Sequence, residues 1–240
     1  MLLLFNSCPV TRCLPSALAA GNRNNQENRV NTMGKRDLIL DTMRELLSEQ
    51  KGASCSVSDI AKRAGIAKGG MYYYFRSKEE VFDALVDRTY QGIINDCQKI
   101  ADMPEVNALE KLERLYCHYQ GALVSSELDV YLHLPQNAAI HQKSLAKILT
   151  SLSPILARLI EQGCEEGLFQ CEYSQEISEI ILSVFCFLLD PGIFRWTPEQ
   201  VRQKLSVLAR IMEHELGAKA GSMSFFYNEP SINPERGDSL

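Results

Sequence analysis

The sequence predicts an all-α protein, on three observations. From Lys35 onward apolar residues recur at helical spacing almost without a break. Three capping signatures (Ser56 to Asp59, Ser77 to Glu80, Thr197 to Gln200) stand ahead of apolar stripes. No segment carries a strand signal of any strength, and there is no internal repeat.

Taken in order, Ile39, Met43, Leu46 and Leu47 fall at i, i+4, i+7 and i+8, one face of a first helix that Gly52 ends. Ser56 and Asp59 open a second, short helix, "VSDIAKRA", which Gly65 stops. Lys68 to Phe75 make a third helix of barely two turns. Ser77 and Glu80 open a long fourth helix, striped by Val81, Phe82, Leu85, Val86, Ile93 and Ile94, that reaches near Asp102. Pro104 begins a loop, and residues 108–125 are helical again. "HLPQNAA" (133–139) breaks the pattern; helix resumes over 140–150 and continues beyond Pro154 to Glu166, where Gly167 ends it. Residues 174–190 form a very apolar helix stopped by Asp190, Pro191 and Gly192. Thr197, with Pro198 at the first helical position, starts the last helix, striped by Val201, Leu205, Leu208, Ala209, Met212 and Leu216. Residues 217–240 read as a mobile tail.

A chain of 240 residues buries one or two cores without help from disulfides or metals. Its 45% apolar and 23% charged residues exclude a disordered chain. The longest apolar run, "IILSVFCFLL" (180–189), is about half of what a bilayer crossing requires, so no membrane partner is expected. Eight cysteines, at 8, 13, 55, 97, 117, 164, 171 and 186, show neither C-x-x-C nor zinc spacing. They read as reduced thiols of a cytoplasmic protein. A thiol-responsive use of Cys164 and Cys171 is the alternative.

Residues 1–33 begin like an export signal but lack a positive start, and Pro9, Arg12 and Pro15 interrupt the apolar run. They read as a disordered arm or as a mis-annotated start, with Met33 as the initiator.

The net charge of −5 hides an asymmetry. Residues 34–78 carry nine Lys and Arg against five Asp and Glu, whereas residues 79–240 carry thirteen against twenty-four. A basic module on an acidic body suits an anionic partner. Within that module, two short helices meet at "AGIA", where the small residues Ala61, Ala64 and Gly65 allow a close crossing, as in a helix-turn-helix. The second helix of such a motif lies in the major groove of double-stranded DNA.

The stretch "SVSDIAKRAGIAKGGMYYYFRSKEEVFDAL" resembles the DNA-binding signature of the tetracycline-repressor (TetR) family. Ser56, Ile60, Ala61, Ala64, Gly65, Ile66, Gly69, Tyr72, Phe75 and Lys78 carry the match. Tyr74 departs from a common His, and Ala67 from a common Ser or Thr. The resemblance implies a three-helix DNA-binding domain over 34–80 (the motif itself about 56–75). It further implies a long helix joining that domain to a helical ligand-binding and dimerisation domain over 81–216.

Helical phase divides the aromatic run. Met71 and Phe75 share a row suited to the core, Tyr72 straddles its edge, and Tyr73 and Tyr74 face outward to donate to phosphates. Gly69 and Gly70 lower helix stability and suit a close backbone approach to DNA. Lys68 is the candidate for a base edge. Lys78 is the phosphate ligand that the resemblance implies, and Ser56, Ser58 and Arg63 are further phosphate contacts.

The helices at 174–190 and 198–216 are expected to form a two-fold homodimer interface, as the resemblance implies, matching a palindromic operator. Tyr90, Tyr116, Tyr119 and His133, with His118 and His141, are candidates for contact with an unidentified small-molecule effector. No catalytic constellation, cofactor motif or metal-ligand spacing is present. The function expected is therefore that of a repressor released from its operator by the effector. An activator of the same fold, and outside that class a helical enzyme or protein-binding adaptor, are the alternatives.

Overall fold

The computed structural model describes residues 34–49, 52, 54–124 and 127–228. Among them are nine α-helices and no strand: α1 Lys35–Ser48, α2 Val57–Arg63, α3 Lys68–Tyr74, α4 Lys78–Ala101, α5 Ala108–Val124, α6 Glu127–Leu132, α7 Ala138–Glu165, α8 Ser174–Ser183 and α9 Pro198–Glu215. Residues 1–33 and 229–240, and the expectations placed on them, lie outside the described residues.

The described residues form two compact units, 34–96 with 127–148 and 97–124 with 149–228. The first is built on α1, whose Ile39, Leu40, Met43, Leu46 and Leu47 are all buried, as its stripe predicts. Helices α2 and α6 pack against α1, and α3 packs against α2. Arg88 on α4 reaches Asp41 on α1 at 2.6 Å. Lys143 and Lys147 on α7 pair with Asp83 and Asp87 on α4, each at 2.7 Å. Phe82 on α4 meets Tyr131 on α6 edge to face, ring centroids 4.6 Å apart. Helix α6 was not expected from the sequence.

In the second unit, buried Lys111 on α5 donates to the Ala101 carbonyl at 2.8 Å and to Gln162 on α7 at 2.9 Å. Those bonds satisfy an ammonium that could not otherwise leave water. Gly163 has no alternative residue, because a Cβ there would fall 2.0 Å from the Phe169 ring. The Thr197–Gln200 capping box forms reciprocally, as predicted.

Two expectations change. The helix predicted over 174–190 loses α-geometry at Val184, and Val184–Leu188 form a wider π-turn closed by Leu189 N–H to the Val184 carbonyl at 2.9 Å. This turn buries Cys186 and sets Phe185 beside Tyr116 and Phe226. The loose tail expected from 217 onward is instead packed through residue 228. Met223 and Phe226 are buried, the Met223 N–H donates to buried Glu213 at 2.8 Å, and the Tyr116 hydroxyl donates to the Phe226 carbonyl at 3.0 Å. Two aromatic side chains, Phe225 and Phe226, give this segment an apolar anchor that its Gly and Ser content conceals.

Candidate nucleic-acid interface

The corner between α2 and α3 follows from local chemistry. Ser56 accepts from the Asp59 N–H at 3.2 Å while the Asp59 carboxylate accepts from the Ser56 N–H at 2.8 Å. The Ser56 hydroxyl also donates to that carboxylate at 2.7 Å, and these bonds hold the Asp59 carboxyl below its ordinary range. Helix α2 ends with Gly65 N–H bonded to Lys62 O and Ile66 N–H to Ala61 O, at 3.2 and 2.9 Å. This Schellman ending needs a left-handed residue, and Gly65 supplies it at φ +66°. Ile60 and Ala61 are buried beneath the corner.

Helix α3 divides sharply between inside and outside. Met71 and Phe75 are buried, whereas Lys68 and Gly69 are exposed, Tyr72 is 47% exposed and Tyr73 is 83% exposed. Tyr74 is half-buried, its ring edge-on to Tyr73 with centroids 5.0 Å apart. The two flanking tyrosines have thus exchanged the roles that helical phase assigned to them: Tyr74, not Tyr72, straddles the core edge. The rows themselves hold, with Lys68 and Tyr72 exposed and Gly70 and Tyr74 half-buried, so it is the Gly70 row rather than the Lys68 row that turns toward the core.

Two cations differ from expectation. Lys78 is half-buried, with its ammonium donating to the Gly52 carbonyl at 3.3 Å. It is turned inward and fastens the loop before α2 to the start of α4. Arg63 is held by two carboxylates at the C-terminal end of α1, Glu49 just past the helix at 3.0 Å and Glu45 within it at 3.5 Å, and the hydrogen bond to Glu49 is the chief reason its pKa is raised. Ser58 is exposed on α2, and Gly70 is half-buried, with room for a Cβ only if the Ile66 methyl at 3.1 Å gives way. Arg36, which the sequence reading passed over, has its guanidinium 5.2 Å above the Phe75 ring. The basic pair Lys35-Arg36 at the start of α1 was its only signal.

The effector candidates fall in different units. Tyr90, His133 and His141 belong to the first; Tyr116, His118 and Tyr119 belong to the second. Both the ring and the hydroxyl of Tyr116 are taken up by the aromatic cluster with Phe185, Phe225 and Phe226. Tyr119 hydrogen-bonds Cys186, whose thiol burial pushes up to about 12. Burial likewise raises the Cys55 and Cys171 thiols.

Residues 39–85 match the family model for bacterial regulatory proteins of the tetR family. Residues 123–211 match that for the tetracyclin repressor-like C-terminal domain. The HTH-type transcriptional regulator EthR of Mycobacterium tuberculosis is 38% identical over 76 residues, 32% of this chain and 35% of that one. This chain therefore spans about a third of the length of that curated relative. The HTH-type transcriptional repressor KstR2 of the same species is 26% identical over 145 residues, 57% of this chain and 70% of that one. The reduced form of Escherichia coli NemR shares the fold, with a TM-score of 0.54 at 18% identity, covering 78% of this chain and all of that one. EthR and KstR2 are transcriptional regulators by name, and the two family models together take in more than half of the chain. The chain belongs to the TetR family of bacterial regulatory proteins.

Proposed function

We propose that this chain is a cytoplasmic, homodimeric transcriptional repressor that grips a palindromic operator through α3 and leaves it when a small molecule binds. The exposed face of α3 carries this reading: Lys68, Gly69, Tyr72 and Tyr73 stand outward above a buried Met71 and Phe75. Two phenols and an ammonium suit phosphate oxygens and a guanine edge. Arg36, Ser58 and Tyr74 flank that face, while Ser56, Arg63 and Lys78 serve first as braces of the motif. The partners implied are double-stranded DNA, a second copy of the chain and the effector. The name of the KstR2 relative favours a repressor over an activator.

Gel shifts with the chain's own promoter region test this. Binding should weaken steeply with salt, and Lys68→Ala should relax base preference where it weakens binding. Salt-insensitive binding, or none, would overturn the reading.

Gly69 offers a sharper discrimination. A Cβ added there meets nothing within 4 Å, so the fold itself places no demand for glycine. Gly69→Ala should therefore stabilise the protein by about 0.5–1 kcal/mol in thermal melts. The same change should weaken operator binding, because the methyl stands where the backbone approaches DNA. A variant that is both more stable and fully active would leave the glycine without a role at the interface.

A further inference from the structure

We propose that His133 and His141 form a binding site for a borderline divalent transition-metal ion of the zinc or nickel class. His133 directly follows α6, and His141 lies in the first turn of α7. The Pro135–Asn137 turn folds the chain back between them. Their ring centroids are 4.6 Å apart, and a ring nitrogen of one lies within 4.8 Å of a ring nitrogen of the other. Two zinc–nitrogen bonds of about 2.0–2.1 Å at a tetrahedral centre place their donors roughly 3.4 Å apart, so a small side-chain rotation closes the pair on an ion.

The surroundings suit ligation. His141 is buried and His133 is largely so, its side chain 18% exposed, and imidazole is the preferred donor for zinc, copper and nickel. The Asp129 carboxylate, one turn earlier on α6, lies 3.5 Å from His133 Nδ1. A carboxylate beside a ligating imidazole orients the ring and strengthens it as a donor. The corner itself is built: buried Asn137 donates through its side chain to the Tyr131 carbonyl at 2.6 Å and through its N–H to the Leu134 carbonyl at 2.8 Å. Sequence spacing could not show the pair, because the two histidines are eight residues apart across a Pro-initiated turn rather than on one helix face.

An ion held there would clamp the α6–α7 corner. Helix α6 touches α4 through Tyr131 and Phe82, α7 holds α4 through Lys143 and Asp83, and α6 also packs on α1. The ion would thus act as an effector within the unit that carries α3, a consequence that rests on the regulator reading. Whatever factor it imposes on operator affinity, the operator must impose on ion affinity.

The test is titration of the metal-stripped full chain with cobalt and zinc ions, without DNA. One ion per chain is expected, with no sulfur-to-cobalt charge-transfer band and a zinc-dependent rise in melting temperature. His133→Gln and His141→Gln should each weaken binding at least about 10-fold, with the metal-free melts unchanged. Asp129→Asn, at the half-buried edge of the corner, should weaken it about 10-fold and covers the case in which a histidine variant fails to fold. Absence of binding, equal binding by wild type and these variants, or a thiolate band would overturn the proposal. Operator binding is not part of this measurement, so either reading can fail without the other.

Discussion

Phe75→Ala is expected to lower the free energy of unfolding by about 3–5 kcal/mol in urea denaturation, and to abolish operator binding with it. Phe75 is 2% exposed, lies under the Arg36 guanidinium and closes α3 with its N–H on the Met71 carbonyl at 3.0 Å. Truncation removes most of a ring from a filled space and releases the end of a helix only seven residues long. Such a helix has little stability of its own, since nucleation is unfavourable and few hydrogen bonds follow. The buried side therefore has to hold it. Tyr73→Ala, two residues earlier, supplies the contrast. With Tyr73 exposed to solvent, stability should change by no more than about 0.5 kcal/mol while operator affinity falls. Should Tyr73→Ala unfold the protein as readily as Phe75→Ala, the outward face of α3 would be structural and the recognition reading would lose its support.

Local signals in this chain were legible and distant ones were not. The capping boxes at Ser56 and Thr197, the Gly65 ending and the buried stripes of α1 and α9 are all written within four or five consecutive residues or one helical period. The inside row of α3, Met71 and Phe75, follows from the same periodicity. Three other features depend on partners remote in sequence. The acceptor for Lys78 is Gly52, twenty-six residues away. The anchoring of residues 217–228 depends on Tyr116, on another helix more than a hundred residues earlier. The exchange between Tyr72 and Tyr74 depends on how α3 is turned against the helices beneath it, and spacing within one short helix carries no information on that point. The π-turn after Ser183 was hidden for a related reason, since Val184 to Leu188 are apolar in either geometry.

Ile180→Glu combined with Ile211→Glu is expected to convert the protein from dimer to monomer in sedimentation experiments at micromolar concentration. On the proposed homodimer reading, α8 and α9 are the dimerisation helices, and the second unit taken alone leaves an apolar face on each. Ile180 is 66% exposed on α8, and Tyr173 just before that helix and Phe187 in the π-turn after it are exposed too; Ile211 is 58% exposed, one turn from exposed Val207 on α9. Meanwhile Leu205, Leu208, Ala209 and Met212 fill the inner face of α9, so the outer stripe is additional to the core rather than part of it. Apolar side chains grouped in this way on two helices mark a surface that another protein covers. In a two-fold contact each residue acts twice, so two substitutions place four carboxylates in the interface. A loss of about 2 kcal/mol for each anchoring residue raises the dissociation constant at least about 30-fold. Because both isoleucines face solvent within the chain, circular dichroism should show the helices intact. Operator binding should nonetheless collapse, since a monomer contacts one half-site and forfeits the phosphate contacts of the other. A wild type that sediments as a monomer would overturn the homodimer reading, and a double variant that still sediments as a dimer would move the interface elsewhere on the surface.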